Sequence, residues 1–509
     1  MAKARWSMAL GLPLVGRTRG ALVEPGGQSA SAMESARTED AAVNQLDLSI
    51  VNGAVFLGGE LRRMDIGVSG GKIVQVSKRG SLRAAKTTMD VSGKWVLPGF
   101  VDAHFHCRAP DHPEREDFST GTMAAAAGGV TTVLEMPIAD VGTTTAARLR
   151  YRSELAASNA FVDFGLFGGG GTLSRREVDG MAAGGAVGFK IFTHSPHAAR
   201  RESFDGLWLV NNGDLQKALE LAVPTGRVTA FHAEDEELLR HYAGAPRRGL
   251  NQYEAYCASR PALVEAMAVA RLCVLSEATN APIHIVHLTS RHALDVARSA
   301  RARGVRVTVE TCGHYLAFTQ DDFERCGVDA KVAPPLRPAD DTKAMLEGVN
   351  DGSIDMICSD HAPFLRSDRT GVSIADAPSG LPGVEAYAHL ALNAALEGWL
   401  DVSRTVHALT SGPAQVYGIA HRKGALKEGL DADIVVFDPG QSCRFDTSTW
   451  YTKARESARL FDGVQHRGRV VGTIVRGQTV YLEGRIVGQR GWGMQVEPRE
   501  QSGSGVVCT

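Results

Sequence analysis

The middle of the chain alternates between short apolar runs and amphipathic stretches. Eight of the apolar runs have the length of strands, and most of them pass into polar residues at their C-terminal ends. Stretches such as EAMAVARLCVLSEAT and RHALDVARSARARG, which separate several of the runs, are amphipathic and predict helices. Eight strand–helix units over roughly 300 residues predict an α/β fold with a (β/α)8 TIM-type barrel. The eight runs are VLPGFVDAH, GVTTVLEMP, FVDFGLFGG, AVGFKIF, RVTAFHAED, APIHIVHLTS, RVTVETCGHY and IDMICSDHAP.

A doubly wound sheet is the alternative arrangement for this alternation. None of the runs leads into the glycine-rich turn that binds dinucleotides in such sheets. The barrel is therefore preferred, and we assign it to residues 97–414. In a barrel the C-terminal ends of all strands meet on one face, where the loops form the active site.

Short strands and tight turns mark the two ends of this region. LDLSIVNGAVFL, MDIGVSGGKIVQVS and TTMDVSGKWVLPG precede the barrel, and DADIVVFDP and GTIVRGQTVYLEGRIVG follow it. Their apolar and polar residues alternate as in half-buried strands. Two independent hairpins would each be too small to be stable alone. We therefore predict one small β-sandwich domain built from residues 46–96 together with residues 415–490.

The two ends of the chain fit neither domain. Residues 1–23 contain four basic residues and no acidic residue around a short apolar patch, as targeting peptides do. The pattern of a cleavage site is poor, so we prefer a disordered extension, or a start at Met33, to a processed segment for residues 1–45. Residues 491–509 are predicted to form a C-terminal tail.

The composition narrows the class of protein. A chain of 509 residues is long enough for one large and one small domain. A formal net charge of −2 gives no electrostatic footprint for nucleic acid, and no apolar run approaches the roughly 18 residues of a membrane span. The eight cysteines include no CxxC pair, which is typical of a reducing compartment. We therefore predict a cytoplasmic protein that binds neither nucleic acid nor membrane.

The stretch LPGFVDAHFHCRAP places His104, His106 and Arg108 on one face of an extended chain, because alternate side chains point the same way. Other strand candidates also end in chemically reactive residues. A single histidine after a strand is usually a structural residue, but four histidines, a lysine and an aspartate at five strand ends predict a common cleft. These residues are His104, His106, Lys190, His232, His287 and Asp360.

Neutral imidazoles and a carboxylate are suitable ligands for Zn²⁺ and similar divalent ions. Lys190 in GFKIF is the unusual member, because an ammonium group repels a metal. A lysine in an apolar strand loses its charge readily, and the neutral amine can add CO₂ to form a carbamate that bridges two cations. Pairing of Lys190 with a neighbouring acid is the simpler alternative.

The motifs DAHFHCR, GFKIF, HAED, IVHLTS and SDHAP, in this order, resemble the cyclic-amide branch of the amidohydrolase superfamily. That branch contains dihydroorotases, allantoinases and dihydropyrimidinases or hydantoinases. GKWVLPGFVDAH, AAAAGGVTTVLEMP, KVAPPLR, SGLPGVE and KGALKEGLDADIVVFDP extend the resemblance from about Leu46 to Gly491. It implies a hydrolase that opens the ring of a cyclic amide or ureide and that assembles as a homotetramer or homodimer.

The resemblance implies two Zn²⁺ per subunit. His104 and His106 with Asp360 hold one metal, His232 and His287 hold the other, and N6-carboxylated Lys190 bridges the two. Such a pair generates hydroxide near neutral pH and polarises the scissile carbonyl. The resemblance implies that Asp360 is the catalytic residue, which can take a proton from the hydroxide and return it to the leaving ring nitrogen. Substrate contacts are implied for Arg108, His314, Ala333 and His361.

Several positions bear on the substrate. In dihydroorotases the residue matching Arg108 binds the substrate carboxylate, but an ion pair with Glu116 or Asp117 is an equal alternative. Ile138 and Ala333 stand where dihydroorotases have asparagine. Ala333, Tyr315 and Ser359 are closer to allantoinases, Ser195 replaces a tyrosine of hydantoinases, and SGLPGVE is closer to hydantoinases and dihydroorotases. Allantoin is therefore the leading candidate, with dihydroorotase and dihydropyrimidinase or hydantoinase activity as alternatives.

Two other classes of protein are alternatives to a binuclear hydrolase. A non-catalytic scaffold homologue would keep the barrel and lose metal ligands, but all six predicted ligands are present. A mononuclear deaminase of the same superfamily would lack the lysine on the fourth strand, and Lys190 is present there. Both alternatives are therefore disfavoured.

Overall fold

The computed structural model describes residues 45–139, 141–197, 201, 204–244 and 248–499. The predicted N-terminal extension up to residue 44, and residues 500–509 of the predicted tail, lie outside this part of the chain. Within it, no helix is both long and apolar enough to cross a membrane.

Eight parallel strands form a nearly closed barrel, and each follows its neighbour in chain order. A parallel bridge between Phe105 and His361, and a hydrogen bond of 2.8 Å from His106 N to the carbonyl oxygen of His361, join the first strand to the segment after the last. Seven of the strands lie within predicted runs, and the first strand extends one residue beyond its run. The strands are β7 Phe100–Phe105, β8 Val130–Glu135, β9 Asp163–Gly169, β10 Gly188–Phe192, β11 Val228–His232, β12 Ile283–Ile285, β13 Val307–Cys312 and β14 Met356–Cys358.

Helices surround the barrel and cover its strands. Residues of the strands are buried on both faces, which explains their continuous apolar runs. Polar caps begin several helices; Asp117, for example, accepts a hydrogen bond of 2.8 Å from Thr120 N in a capping box. The helices are α1 Phe118–Ala127, α2 Ala146–Ala157, α3 Arg175–Ala183, α4 Asn212–Ala222, α5 Glu236–Ala243, α6 Gln252–Ala258, α7 Ala262–Thr279, α8 Arg291–Ala302, α9 Gly313–Ala317, α10 Asp322–Cys326, α11 Ala339–Asp351, α12 Tyr387–Leu396, α13 Val402–Leu409 and α14 Ser411–Val416.

The two terminal segments together build one mixed sheet of ten strands. Antiparallel pairing of β6 with β15, in which Val96 faces Val436, joins the N-terminal segment to the C-terminal one. The predicted fold class, a TIM-type barrel with a smaller β-domain from both ends, is confirmed. The strands are β1 Leu46–Val51, β2 Ala54–Leu57, β3 Glu60–Ser69, β4 Lys72–Lys78, β5 Ala85–Asp90, β6 Trp95–Pro98, β15 Ile434–Arg444, β16 Gln465–Val475, β17 Gln478–Leu482 and β18 Arg485–Ile486.

The first predicted run, VLPGFVDAH, is divided between the two sheets at Gly99. Residues before it belong to β6 of the mixed sheet, and residues after it belong to β7 of the barrel. A side chain at Gly99 would not fit, because a Cβ atom there would lie 2.1 Å from Thr131 Oγ1. Glycine therefore permits the close approach at which the chain passes from one sheet to the other.

A buried ion cluster ties the barrel to the mixed sheet. The ammonium group of Lys423 lies 2.5 Å from Asp163 at the start of β9, and 3.0 and 2.6 Å from Asp431 and Asp433, which precede β15. Although burial opposes it, the charges of the three carboxylates raise the pKa of Lys423. A lysine thus occupies the position that a metal ion would take among three carboxylates.

Replacing Lys423 with methionine is expected to destabilise the protein by roughly 3–5 kcal/mol, because it leaves the buried carboxylate of Asp433 without the ion pair that it forms with Lys423. The measurement is the midpoint of guanidinium-induced unfolding. Lys86→Met is the matched control, since Lys86 forms an exposed ion pair with Asp47 that contributes at most about 1 kcal/mol. Equal midpoints for the two variants would contradict this role of Lys423.

Candidate active site

A cavity of about 450 Å³ opens among the C-terminal ends of the barrel strands. This is the face on which TIM-type barrels bind their substrates. One part of its wall is apolar, and another contains three cationic side chains. The lining residues include His104, His106, Arg108, Ile138, Lys190, Phe192, His194, Phe204, His232, Arg260, His287, Lys331, Ala333, Asp360, Asp376 and Ser379.

All six residues predicted as metal ligands line this cavity. Asp360 Oδ1 lies 3.3 Å from Nε2 of both His104 and His106. The ring of His287 lies 5.3 Å from that of His104 and 4.6 Å from that of His232. The strand ends therefore bring together residues that are up to 256 positions apart in the sequence, counted from His104 to Asp360.

Lys190 is fully buried in β10, and its ammonium nitrogen has no hydrogen-bond partner among the described residues. It lies 5.2 Å from the centroid of the Phe192 ring. Burial lowers the pKa of Lys190 to about 8, although the carboxylates of Glu310 and Asp360 act in the opposite direction. A neutral amine is therefore accessible near neutral pH. The alternative prediction, a direct ion pair of Lys190 with an acid, is not among the contacts of the described residues.

Two of the six residues have a left-handed backbone conformation that side chains other than glycine rarely adopt. The φ angle is +39° at His287, just after β12, and +43° at Asp360, just after β14. Such conformations cost free energy and are concentrated at functional sites. Here they occur where two strands end at the cavity.

Burial also shifts the pKa values of the titratable groups in the site. It lowers the pKa of His106 and His287 well below the usual range, with nearby cations adding to the effect. It raises the pKa of Asp360, although His104 and Lys190 oppose the shift. The histidines are thus held in the neutral form, which is the form that binds metals.

Glu310, which sequence analysis did not identify, holds two of the predicted ligands, His104 and His287, through hydrogen bonds. Glu310 on β13 accepts hydrogen bonds from His104 Nδ1 at 2.5 Å and from the backbone N–H of His287 at 3.1 Å. A second oxygen accepts from His284 Nε2 at 3.1 Å. With Nδ1 of His104 protonated, its Nε2 presents a lone pair toward the cavity. The sequence feature that could have identified Glu310 is its position as a carboxylate inside the apolar run RVTVETCGHY.

Glu234, also missed, supports His232 in the same manner. Its Oε2 atom lies 2.7 Å from His232 Nε2 and also accepts a hydrogen bond from Arg260. Although burial opposes the shift, the Arg260 guanidinium and His232 hold the pKa of Glu234 well below its usual range. The second carboxylate thus leaves Nδ1 as the ring nitrogen of His232 that remains for a ligand. Glu234 could have been identified from the HAED motif, in which it follows His232 by two residues.

The predicted substrate-binding residues are found in two places. Arg108 and Ala333 line the cavity. Arg108 Nε donates to the carbonyl oxygen of Pro363 at 3.3 Å, and its guanidinium lies 4.6 Å from the centroid of the Phe364 ring. Of the two acids considered as partners of Arg108, Asp117 forms an ion pair of 2.6 Å with Lys453, and Glu116 accepts a hydrogen bond from Thr452.

His314 and His361 are buried and do not belong to the cavity lining. His361 packs against the Phe105 ring, and its ring nitrogens contact Glu116 and the backbone N–H of Val384. Burial lowers the pKa of His314 to about 3, with the charge of His104 adding to the effect. The structure therefore gives His361 contacts within the protein, and a substrate contact for either histidine stays a prediction.

The chain belongs to the amidohydrolase family, whose model matches residues 95–480. An allantoinase of Rubrobacter xylanophilus is 34% identical over 91% of this chain and all of its own length. A dihydroorotase of Syntrophus aciditrophicus is 32% identical over 85% of this chain and 98% of its own. The structure of an L-hydantoinase (dihydropyrimidinase) from Arthrobacter aurescens superposes with a TM-score of 0.83, at 30% identity, over 89% of this chain and all of that one.

These relatives confirm the resemblance predicted from the motifs and the prediction that the protein is an amidohydrolase enzyme. They bear three different names at similar identity. Similarity alone therefore identifies the class of reaction. The identity of the substrate ring has to be inferred from the residues that line the cavity.

Proposed function

We propose that this enzyme hydrolyses a ring C–N bond of a cyclic amide or ureide at a centre of two divalent metal ions, with zinc as the metal. His104, His106 and Asp360 would hold one ion and His232 and His287 the other. The convergence of all six predicted ligands on one cavity is the observation on which the proposal rests.

The donor atoms fit such a centre. His104 and His106 both direct Nε2 toward Asp360 Oδ1, at 3.3 Å. The buried nitrogen of Lys190 has no hydrogen-bond partner among the described residues. An unpaired buried polar atom is costly, and a modification of Lys190 that holds a metal would satisfy it. We propose that the neutral amine of Lys190 adds CO₂, with loss of a proton, to form a carbamate whose oxygens would help to hold the ions.

When bound, divalent cations supply Lewis acidity for activation of water and polarisation of a carbonyl. The chain supplies the proton transfer. Asp360 lies in the cavity with a pKa raised by burial, so its carboxylate is a stronger base than an exposed aspartate. It would take a proton from the attacking water and deliver it to the leaving ring nitrogen, while Glu310 and Glu234 hold the imidazoles in place.

Allantoin is the substrate that we propose first. Ile138 and Ala333 line the cavity at positions where a dihydroorotase would place asparagine side chains. A site that recognises dihydroorotate through those amides would lose much of its discrimination without them. Arg108 can donate hydrogen bonds to a ring carbonyl or to the ureido group of allantoin.

Dihydroorotate is the second candidate, and the position of Arg108 favours it. Its guanidinium lines the cavity, where it could bind a substrate carboxylate. The experiment that separates the candidates compares kcat/KM for allantoin, dihydroorotate, dihydrouracil, hydantoin and simple cyclic imides with the zinc-loaded enzyme. We expect allantoin to give the highest value. A wide margin for dihydroorotate, lost selectively in Arg108→Ala, would overturn the allantoinase assignment.

Glu310→Gln is expected to weaken metal binding by roughly 10- to 100-fold. The substitution removes the negative charge beside His104 and leaves one acceptor oxygen where Glu310 uses two. The measurement is the free zinc concentration at half-saturation in metal buffers. Glu385→Gln is the matched control, since Glu385 is also buried but accepts hydrogen bonds from Tyr451 N and Thr452 N. Unchanged metal affinity in Glu310→Gln would remove Glu310 from the support of the site.

We also propose the assembly, location and division of the chain that the sequence predicts. Light scattering should show a homotetramer or homodimer. A cytoplasmic location is supported by the described cysteines, all of which are free. The domain limits, residues 46–96 with 415–490 for the β-domain and 97–414 for the barrel, can be tested by limited proteolysis.

A further inference from the structure

His194 is a half-buried side chain of the cavity lining that has no part in the proposed metal centre. It follows β10 by two residues, and its ring packs edge-on against that of His232 at 4.9 Å. The ring of Phe192 lies 6.1 Å away, also edge-on. His194 is thus fixed beside the predicted ligands and faces the same space.

A hydrogen bond of the His194 ring determines which of its nitrogens can accept a hydrogen bond from a ligand in the cavity. Nδ1 lies 2.9 Å from the backbone carbonyl oxygen of Ser195. A carbonyl oxygen can only accept, so Nδ1 bears the hydrogen and the neutral ring leaves the lone pair on Nε2. His194 therefore presents a hydrogen-bond acceptor.

A short series of contacts holds this arrangement in place. Both Ser195 N and Ser195 Oγ donate to the carboxylate of Glu236, at 2.8 and 2.7 Å. Glu236, the first residue of α5, also forms an ion pair of 2.6 Å with Arg240. Ser195, which stands where hydantoinases have a tyrosine, thus helps to position His194.

The other polar side chains of the lining complement this acceptor. Arg108, Arg260 and Lys331 can only donate hydrogen bonds. Cyclic amides and ureides contain N–H donors as well as carbonyl acceptors, and a buried N–H needs an acceptor. The lining also contains the oxygen acceptors of Asp360, Asp376 and Ser379. Asp360 is assigned to the metal centre, and Asp376 already accepts a hydrogen bond from Ser373 Oγ at 2.7 Å.

We propose that Nε2 of His194 accepts a hydrogen bond from an N–H group of the substrate and makes the enzyme specific for rings or ureido groups with that N–H free. The proposal rests on the proposed function, since it assumes that a cyclic amide or ureide enters the cavity. It assigns His194 a role in substrate specificity, with Ser195 and Glu236 as positioning residues.

The test compares His194→Phe, which keeps a ring without an acceptor, with His194→Gln, which restores an acceptor oxygen. The substrates are the fastest member of the panel and its mono-N-methyl derivatives. We expect His194→Phe to lose about 10-fold or more in kcat/KM on the parent substrate, because a buried donor is left unpaired. His194→Gln should recover part of the loss. On the derivative that lacks the critical N–H, wild type and His194→Phe should agree.

Metal content is the second readout. Zinc per chain should be the same in wild type, His194→Phe and Ser195→Ala. Equal kcat/KM of His194→Phe and wild type on the parent substrate would overturn the inference and leave the proposed function intact. Loss of zinc from His194→Phe would also overturn it, since His194 would then act through His232. Failure of the zinc-loaded wild type on the whole panel would instead overturn the proposed function.

Discussion

Replacing Lys190 with alanine is expected to remove binuclear metal binding and with it the hydrolytic activity. Lys190 is buried close enough to His106 and His287, one from each predicted ligand set, to act on their pKa values. Its nitrogen has no hydrogen-bond partner among the described residues. The loss of activity should exceed the roughly 10- to 100-fold that removal of a supporting contact costs, because a bridging group would be lost. Elemental analysis and kcat measure the two effects on the same sample.

A short carboxylic acid in solution should partly restore both properties of Lys190→Ala, because it can replace the carbamate oxygens in the space that alanine leaves. Lys331→Met is the matched control. Lys331 also lines the cavity, but its ammonium group donates to the carbonyl oxygens of Ala375 and Ala377 at 3.1 and 2.5 Å. Its loss should leave the metal content unchanged. If Lys190→Ala retained the wild-type metal content, Lys190 would not belong to the site.

Replacing Asp360 with asparagine is expected to lower kcat by about 10²- to 10⁴-fold, the contribution of a positioned general acid–base group. Asparagine has a similar shape but cannot take a proton from water. The effect should appear with every substrate, because proton transfer to the leaving nitrogen is common to all ring openings. Steady-state kinetics on two different substrates of the panel measures it.

Asp368→Asn is the control for Asp360→Asn. Asp368 lies in the same segment after β14 but forms an ion pair of 3.0 Å with Arg115, so its replacement should leave kcat within a few-fold of wild type. A residual kcat of Asp360→Asn close to that of this control would contradict the proton-transfer role. Metal content of both variants separates lost chemistry from lost ligands.

The sequence predicted the barrel because its strands are buried on both faces and therefore read as apolar runs. The predicted ligands could be found because they stand where those runs end. Pairing of β6 with β15 was anticipated only in general terms, as one domain from both termini. The switch between sheets at Gly99 was not predicted, since it depends on the approach of Thr131 in space.

Residues that act from behind the site could not be assigned from the sequence. Glu310 contacts His104 across 206 positions of the chain, and no local pattern states which carboxylate will meet which imidazole. His194 could not be assigned from the sequence, because its ring is oriented by a hydrogen bond to the backbone carbonyl oxygen of Ser195, and a backbone contact leaves no pattern in the sequence. His314 was predicted from its motif; helix α9 buries it close enough to His104 for that residue to act on its pKa, and its contact with a substrate stays a prediction.

The number of metal ions per chain tests the central claim most directly. The wild-type enzyme is reconstituted with zinc and bicarbonate and freed of excess metal. Its zinc content is then measured by inductively coupled plasma mass spectrometry. The account predicts about two zinc ions per chain, as a binuclear centre requires. One tightly bound ion, or none, would contradict it.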